Sequence, residues 1–122
     1  MTYPGLPAAV KAWRDALGGD HVWTGDAVVA YADNVTGWSR EIPAVLRPST
    51  SAEVVAVVAT ANRYRVPLYP FSGGKNWGLG SRLPVRTGSV LVDLARMNRI
   101  EHIDAEGLFA VVEPGVTQQQ LY

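Results

Sequence analysis

Hydrophobic residues recur at helical spacing in two segments of the chain. Over residues 7–17 the apolar side chains fall three or four positions apart, and a pair of glycines ends the segment. A second apolar stripe follows Thr50 and Glu53, which have capping-box spacing, and ends near Arg65. Both segments are predicted to be α-helices that lay one apolar face on other elements.

Short continuous apolar runs predict buried strands. Residues 44–46 and 68–71 flank the second helix, which gives the order strand, helix, strand with short connections. Such a βαβ unit holds its two strands parallel with a right-handed crossover. A further buried strand is predicted at residues 89–94. Nearer the start of the chain, a short helix is predicted over residues 26–33, with Asp26 as its N-cap.

The last part of the chain has the pattern of an antiparallel hairpin followed by a helix. Residues 100–103 and 108–113 are predicted strands, and the turn between them, residues 104–107, ends in glycine. Thr117 and Gln120 then repeat the capping-box spacing, so Thr117 is the predicted N-cap of a helix. Because a single turn at a free end does not offset its nucleation cost, we expect more sequence to follow in the natural protein.

The amino-acid composition mainly excludes certain classes of function. Eleven acidic and eleven basic side chains cancel in the 122 residues, so nothing indicates binding to nucleic acid or to an anionic membrane. The absence of cysteine excludes disulfides, thiolate metal ligands and cysteine nucleophiles. The start lacks a signal-peptide pattern and no apolar run is long enough to span a bilayer, which favours a cytoplasmic protein. His21 and His102 are isolated, and no metal site is expected.

The best functional candidate is the glycine-rich stretch at residues 70–80, directly after a predicted strand. Its glycines can adopt positive φ and let an anion approach the main chain, and Lys75 can add a charge. These glycines are Gly73, Gly74, Gly78 and Gly80. The stretch is not a dinucleotide or Walker motif, because Leu83 and Asn76 occupy positions where those motifs require other residues. Such a loop is by itself more often a plain surface connection, so its neighbours decide between the two interpretations.

Three segments in this order, PFSGGKNWGLG, GSVLVDLARMNRIEHID and FAVVEPGVTQQQLY, resemble the FAD-binding domain of the vanillyl-alcohol oxidase and para-cresol methylhydroxylase flavoproteins. The resemblance covers roughly the last two-thirds of the chain. It implies an α+β fold that is the N-terminal part of an FAD-binding domain. Residues 1–94 would form a first subdomain with the βαβ unit, and residues 95–122 would start a second, antiparallel subdomain. A cap domain elsewhere in the protein would supply most of the substrate pocket.

The resemblance also implies a set of cofactor contacts. The residues that would wrap the FAD pyrophosphate are Phe71, Ser72, Gly73, Gly74, Lys75, Asn76 and Trp77. Those that would run beside the flavin are Pro114, Gly115, Val116 and Thr117. Some relatives attach the flavin through a histidine where Lys75 stands, and this chain lacks that attachment. Leu79 and Gln120 replace a phenolate-binding tyrosine and an aspartate of relatives, and we assign both to the substrate side.

The resemblance therefore implies an FAD-dependent oxidase or dehydrogenase. Hydride would pass from a C–H of an alcohol or para-substituted phenol to flavin N5, and oxygen or another acceptor would reoxidise the cofactor. Two alternatives stay open. One is an enzyme acting on hydroxy acids or sugar alcohols, which Leu79 favours because leucine donates no hydrogen bond. The other is a non-catalytic module that has lost FAD. No catalytic residue is identified, a homo-oligomer stays open, and the 122 residues alone are expected to be inactive.

Overall fold

The structure, a computed structural model, describes residues 3–32, 36–75 and 82–122. Its α-helices are α1 (Leu6–Leu17), α2 (Ser51–Tyr64) and α3 (Gln118–Leu121), and 3₁₀ helices span Gly19–His21 and Gly25–Tyr31. Its strands are β1 (Val22–Trp23), β2 (Val45–Leu46), β3 (Leu68–Phe71), β4 (Val90–Asp93), β5 (Ile100–Asp104) and β6 (Phe109–Val112). The mixture of helices with parallel and antiparallel strands confirms the predicted α+β class.

A four-stranded sheet in the order β1-β2-β4-β3 forms the larger part of the fold. Strands β2 and β3 both pair parallel with β4, so the two strands of the predicted βαβ unit are parallel but not adjacent. Strand β4 lies between β2 and β3, and every one of its residues is buried. A continuous apolar run is what a strand covered on both faces requires. Strand β1 pairs antiparallel with β2 at the edge.

Alternate residues of the sheet face two separate cores. Val90 and Val92 pack with the two long helices, whereas Leu91 packs with Val45 on the opposite face. This division follows from the two-residue period of a strand. Trp13 of α1 is fully buried, and its indole N–H donates to the carbonyl oxygen of Val57 in α2 at 3.1 Å. The helices therefore form one layer on one face of the sheet.

The ends of α2 follow the sequence prediction closely. The Thr50 side chain accepts a hydrogen bond from the Glu53 N–H at 3.1 Å. The Glu53 carboxylate accepts from the Ser49 N–H at 2.6 Å, one residue earlier than a standard capping box would place it. Arg65 ends the helix in the left-handed conformation, with φ of 54°. In α3, Thr117 and Gln120 form the complete predicted capping box.

Two predictions near the start of the chain need correction. Residues 26–33 were predicted as a short helix capped by Asp26; the segment is helical, as the 3₁₀ helix Gly25–Tyr31, but its N-cap is Thr24. No side-chain hydrogen bond caps that end, so the capping argument fails there. Residue 33 lies outside the described residues. Strand β1 was not predicted, because two residues are too short to show a periodicity.

The hairpin β5–β6 is antiparallel as predicted, but its turn is displaced by one residue. Asp104 belongs to β5 and pairs with Phe109, whereas Leu108 lies in the turn with φ of 56° instead of starting the second strand. The Asp104 carboxylate causes this displacement. Its Oδ1 accepts from the N–H groups of Glu106 and Gly107 at 3.0 Å and 2.6 Å, which ties the turn to the end of β5.

Among residues 3–32, 36–75 and 82–122, no helix combines the length and apolarity that crossing a membrane requires.

Replacing Trp13 with phenylalanine should destabilise the chain by about 1–3 kcal/mol, because the side chain is fully buried and its indole N–H is hydrogen-bonded. The matched substitution Trp38→Phe acts on a side chain that is 56% exposed and should change stability by no more than about 0.5 kcal/mol. Urea unfolding followed by circular dichroism measures both. Equal losses in the two variants would contradict the described packing of α1 on α2.

Candidate cofactor-binding site

The candidate site lies at the edge of the sheet formed by the carboxyl ends of its parallel strands, β2, β4 and β3. Arg47 follows β2, Ser72 follows β3 and Asp93 ends β4, so their backbones meet at one edge. Phe71 and Asp93 are register partners, and the Leu94 N–H donates to the Phe71 carbonyl oxygen at 3.0 Å. The glycine-rich loop therefore leaves the sheet beside the turn that follows β4. Ligands gather at such edges in open α/β sheets.

The described part of the glycine-rich loop, residues 72–75, has the backbone features of an anion-binding turn. Gly74 has φ of 65°, a conformation that favours glycine. A Cβ atom added to Gly73 would meet no atom within 4 Å, so this side of the backbone is open. Within the described ranges, the N–H groups of Gly73, Gly74 and Lys75 donate to no backbone carbonyl. The loop thus offers N–H donors that have no backbone partner among the described residues, beside open space, which is the chemistry that phosphate oxygens require.

The second predicted segment is held against the turn after β4 by Gly115. Its N–H donates to the Met97 carbonyl oxygen at 2.7 Å. A Cβ atom at this position would lie 2.7 Å from the carbonyl oxygens of both Leu94 and Met97, so only glycine allows this approach. Strand β4 is the neighbour of β3, so the packing of Gly115 against this turn brings the Gly115 segment beside the glycine-rich loop.

The two segments line one open groove of about 520 Å³, a volume within the range of small-molecule sites. The lining residues are Ser72, Gly73, Gly74, Lys75, Gly115, Val116, Thr117 and Gln118. Two stretches that are far apart in the sequence, and that were assigned separately to the pyrophosphate and the flavin, therefore share a single surface. This shared groove is the central geometric result for function.

Some predicted site residues lie elsewhere or have other contacts. The Phe71 ring packs in the core, 6.0 Å from the Tyr31 ring. Pro114 borders a separate apolar pocket beside α2. The Gln120 side chain accepts from the N–H and hydroxyl of Thr117 as part of the capping box. The assignments of these residues to FAD or substrate stay predictions. Asn76, Trp77 and Leu79 lie outside the described residues.

One lining residue, Gln118, was not predicted. It directly follows the Thr117 N-cap, and its place in the groove depends on the three-dimensional path of the chain. No periodicity or motif in the sequence marks it.

An ion pair fixes the chain just before the Gly115 segment. Arg99 donates through its backbone N–H and through Nη2 to the two carboxylate oxygens of Glu113, each at 2.8 Å. The hydrogen bond from Arg99 holds the pKa of Glu113 below its usual range, and the same bond raises the pKa of Arg99. The bidentate contact spans the hairpin, so it orients the main chain that enters the groove.

A buried carboxylate organises the other side of the sheet edge. The Tyr31 hydroxyl donates to Asp93 Oδ2 at 2.8 Å, and Arg47 Nε lies 3.5 Å from the same oxygen. Asp93 Oδ1 accepts from the Ala95 N–H at 2.9 Å, which shapes the turn after β4. Burial, followed by the hydrogen bond and charge of Asp93, raises the pKa of Tyr31 to about 12. Tyr31 is therefore a hydrogen-bond donor at neutral pH.

These features fit FAD. The FAD diphosphate needs N–H donors and a positive charge, which residues 73–75 and the Lys75 ammonium group supply. The open side of Gly73 gives the room for a close approach to the main chain. In the part of the chain that the structure describes, no cluster of His, Asp and Glu side chains has the arrangement to hold a metal ion.

A family model described as an FAD binding domain matches residues 42–122. The solved structure of p-cresol methylhydroxylase with substrate bound superposes on the whole chain with a TM-score of 0.91 and 36% identity, over 24% of its own length. The chain belongs to the vanillyl-alcohol oxidase and para-cresol methylhydroxylase family of FAD-binding domains. The predicted family, fold and cofactor are thereby confirmed.

Curated relatives in this family differ in their chemistry. The 1'-carboxy-chondrochloren decarboxylase of Chondromyces crocatus is 45% identical over 95% of the chain. The flavoprotein subunit of the hydroxylating 4-cresol dehydrogenase of Pseudomonas putida is 38% identical over 93% of the chain. The chain spans only 22% and 23% of the length of these two proteins.

The substitution Gly73→Ala should lower FAD affinity about tenfold, because the added methyl group fills the open side of the loop and overpacks the cofactor contact. Folding should be unaffected, since that methyl group meets no protein atom within 4 Å. Titration of the intact apoprotein with FAD, followed by flavin fluorescence, measures the affinity. Gly19→Ala, also free of contacts within 4 Å but outside the groove, is the matched control. Equal affinities in the two variants would contradict the site.

The Tyr31 hydroxyl should titrate near pH 12, above its ordinary value of 10.0. Because the pKa is raised on folding, its contribution to stability is complete below pH 10 and is lost as the pH rises through 12. The phenolate absorbance of the folded chain measures the titration, and Tyr31→Phe identifies it by removing it. In Asp93→Asn the pKa should fall only part of the way, since burial, the largest cause, remains. A titration unchanged by both substitutions would contradict the contact.

Proposed function

We propose that the intact protein is an FAD-dependent oxidoreductase and that the groove of this chain holds the diphosphate and the adjoining part of the cofactor. The observation that carries the proposal is the shared groove. In a chain of this family, the glycine-rich loop and the Gly115 segment face one another across it. A plain surface loop would not require a distant glycine segment at the same place.

The residues of this chain bind and orient the cofactor. The N–H groups at residues 73–75 donate to phosphate oxygens, and the Lys75 ammonium group offsets their charge. Gly115, Val116 and Thr117 form the facing wall, which Glu113 and its ion pair with Arg99 keep in place. Bound FAD supplies the acceptance of a hydride from a substrate carbon. The acid and base groups of that reaction, and the cap domain, belong to other parts of the protein.

The two sheets support the proposed division of the domain. The four-stranded sheet lies within residues 1–94, and the hairpin β5–β6 lies within residues 95–122. Several apolar side chains of the hairpin are exposed, among them Ile103 at 60% and Phe109 at 51%. A two-stranded ribbon of this kind needs further strands or helices to become stable. The hairpin would thus begin a second subdomain.

The proposal also includes a cytoplasmic location for the protein, and oxygen as one of the electron acceptors that could reoxidise the flavin.

An alcohol or para-substituted phenol is the proposed substrate class. The 38% identical relative is named for 4-cresol, and the superposed p-cresol methylhydroxylase was solved with its substrate. A hydroxy acid is the second candidate. The glycolate oxidase subunit of Bacillus subtilis is 34% identical over 72% of the chain, and a D-lactate dehydrogenase of Kluyveromyces lactis is 35% identical over 63%. The 45% identical relative is named a decarboxylase of a carboxy compound, so a carboxylic acid is added to the compounds to be tested.

Anaerobic mixing of the purified intact protein with a substrate panel should bleach the flavin absorbance. The panel contains 4-alkylphenols, a benzylic alcohol, 4-hydroxyphenyl carboxylic acids, 2-hydroxy acids and a sugar alcohol. We expect the phenols and benzylic alcohol to reduce the flavin with a second-order rate constant about a hundredfold above that of the hydroxy acids, because a site that hydrogen-bonds one class leaves its polar groups unpaired with another.

Each alternative has its own outcome in this experiment. Faster reduction by 2-hydroxy acids or sugar alcohols would replace the proposed substrate class with the second one. A purified protein without flavin absorbance would contradict the oxidoreductase and favour the non-catalytic module. The 122 residues alone should retain no stoichiometric FAD, because half of the cofactor contacts come from other parts of the protein.

A further inference from the structure

Arg82 packs against the glycine-rich loop at Gly74. A Cβ atom on Gly74 would lie 2.6 Å from Arg82 Cγ and 2.8 Å from Cδ. The aliphatic part of Arg82 therefore fills the space beside the loop residue that has φ of 65°. Side-chain packing of this kind holds a backbone conformation that few other contacts specify.

The guanidinium group of Arg82 rests on a fixed aromatic surface. Its central carbon lies 5.5 Å from the centroid of the Tyr31 ring, within the range of a cation–π contact. That ring has little freedom, because its hydroxyl is hydrogen-bonded to buried Asp93 and its faces and edges meet Trp23 and Phe71. Asp93 and Phe71 are the terminal residues of β4 and β3. Arg82 therefore connects the loop to the rigid end of the sheet.

The contacts of Arg82 favour a positioning role over direct contact with the cofactor. Arg82 is absent from the described lining of the groove, whereas Lys75 is part of it. Its charge faces the Tyr31 ring, and the buried Asp93 carboxylate, which accepts from the Tyr31 hydroxyl, is already paired with Arg47. The part of Arg82 that reaches the loop is its apolar stem. Its effect on an anion would therefore pass through the backbone of Gly74.

We propose that Arg82 is a positioning residue for cofactor binding: its stem holds Gly74 in the left-handed conformation that directs the loop amides towards the diphosphate, and Tyr31 fixes Arg82 in that place. This inference rests on the proposed function, since it takes the diphosphate of FAD to lie on the loop. It adds a residue outside the glycine-rich stretch and outside the segments that resemble the family.

Two substitutions separate the stem of Arg82 from its charge. Arg82→Ala removes both, and Arg82→Met keeps an apolar stem beside Gly74 and a sulfur contact with the Tyr31 ring but removes the charge. Titration of each intact apoprotein with FAD gives the dissociation constant, repeated at low and high salt. We expect Arg82→Ala to weaken binding about tenfold, the lower end of the effects of supporting residues in metal sites. Arg82→Met should stay within about threefold of the wild type.

The outcomes distinguish the inference from its alternatives. Equal losses in Arg82→Ala and Arg82→Met, with a weaker salt dependence than the wild type, would show a direct charge contact with the phosphates and overturn the positioning role. Wild-type affinity in Arg82→Ala would overturn it as well. A wild-type protein that binds no FAD would overturn the proposed function together with this inference, whereas the first two outcomes leave the proposed function intact.

A double-mutant cycle tests the contact itself, apart from any loss of folding. Gly74→Ala should weaken FAD binding in the wild type, because its methyl group strikes the stem of Arg82 and strains the left-handed backbone. In the Arg82→Ala background the steric part of that loss is removed, so the two losses should be less than additive by about threefold or more. The thermal midpoint of every variant is recorded alongside. Strict additivity of the affinities would overturn the inference.

Discussion

The close packing of Gly115 against the turn after β4 is the contact on which the candidate site depends. Three carbonyl oxygens, those of Leu94, Ala95 and Met97, stand within 2.8 Å of the place where a Cβ atom would be. No other residue type fits there. The contact joins the antiparallel part of the chain to the end of strand β4. It also puts the Gly115 segment beside the loop that leaves β3. Without it, neither segment alone would form a groove.

The turn beneath Gly115 is itself held by a buried carboxylate. Asp93 accepts from the Ala95 N–H on one oxygen and from Tyr31 on the other, with Arg47 beside it. A buried carboxylate without such partners would be strongly destabilising, so these contacts have to form together. The same cluster supports both sides of the groove: through the β4 turn it reaches Gly115, and through Tyr31 it reaches Arg82. One ion pair at the sheet edge thus orders two walls that are distant in sequence.

The sequence allowed most elements to be predicted where local chemistry decides them. The stripes of α1 and α2, the Thr50 and Thr117 caps and the apolar run of β4 each contain their own signal, and each was located within about two residues. The placement of β4 between β2 and β3 could not be predicted in this way, because strand order depends on which runs are covered on both faces. The displaced hairpin turn depended on a single carboxylate, that of Asp104, which accepts from the N–H groups of Glu106 and Gly107.

The sequence allowed the glycines of the candidate site to be predicted, but not the side chains around them. Glycines at residues 73, 74 and 115 were informative because close approach and positive φ restrict the residue type. Gln118, Tyr31 and Arg82 could not be assigned from the sequence. A single arginine or tyrosine in a sequence does not indicate which residues it packs against. Their roles follow from the sheet edge alone, which brings residues from separate elements together. Motifs therefore predicted the backbone of the candidate site, and the structure was needed to find the side chains around it.

The two walls of the groove differ in how firmly the chain holds them. The Gly115 wall is fixed at one end by the bidentate Arg99–Glu113 pair and at the other by the capping box, in which Gln120 accepts from Thr117. The described loop wall has amides that donate to no backbone carbonyl among the described residues. Because N–H groups without a partner in the protein can donate to an anion, a bound anion would stabilise this wall more than the other. The contacts of the chain itself therefore hold the Gly115 wall, whereas the described loop wall offers N–H donors to which an anion could bind.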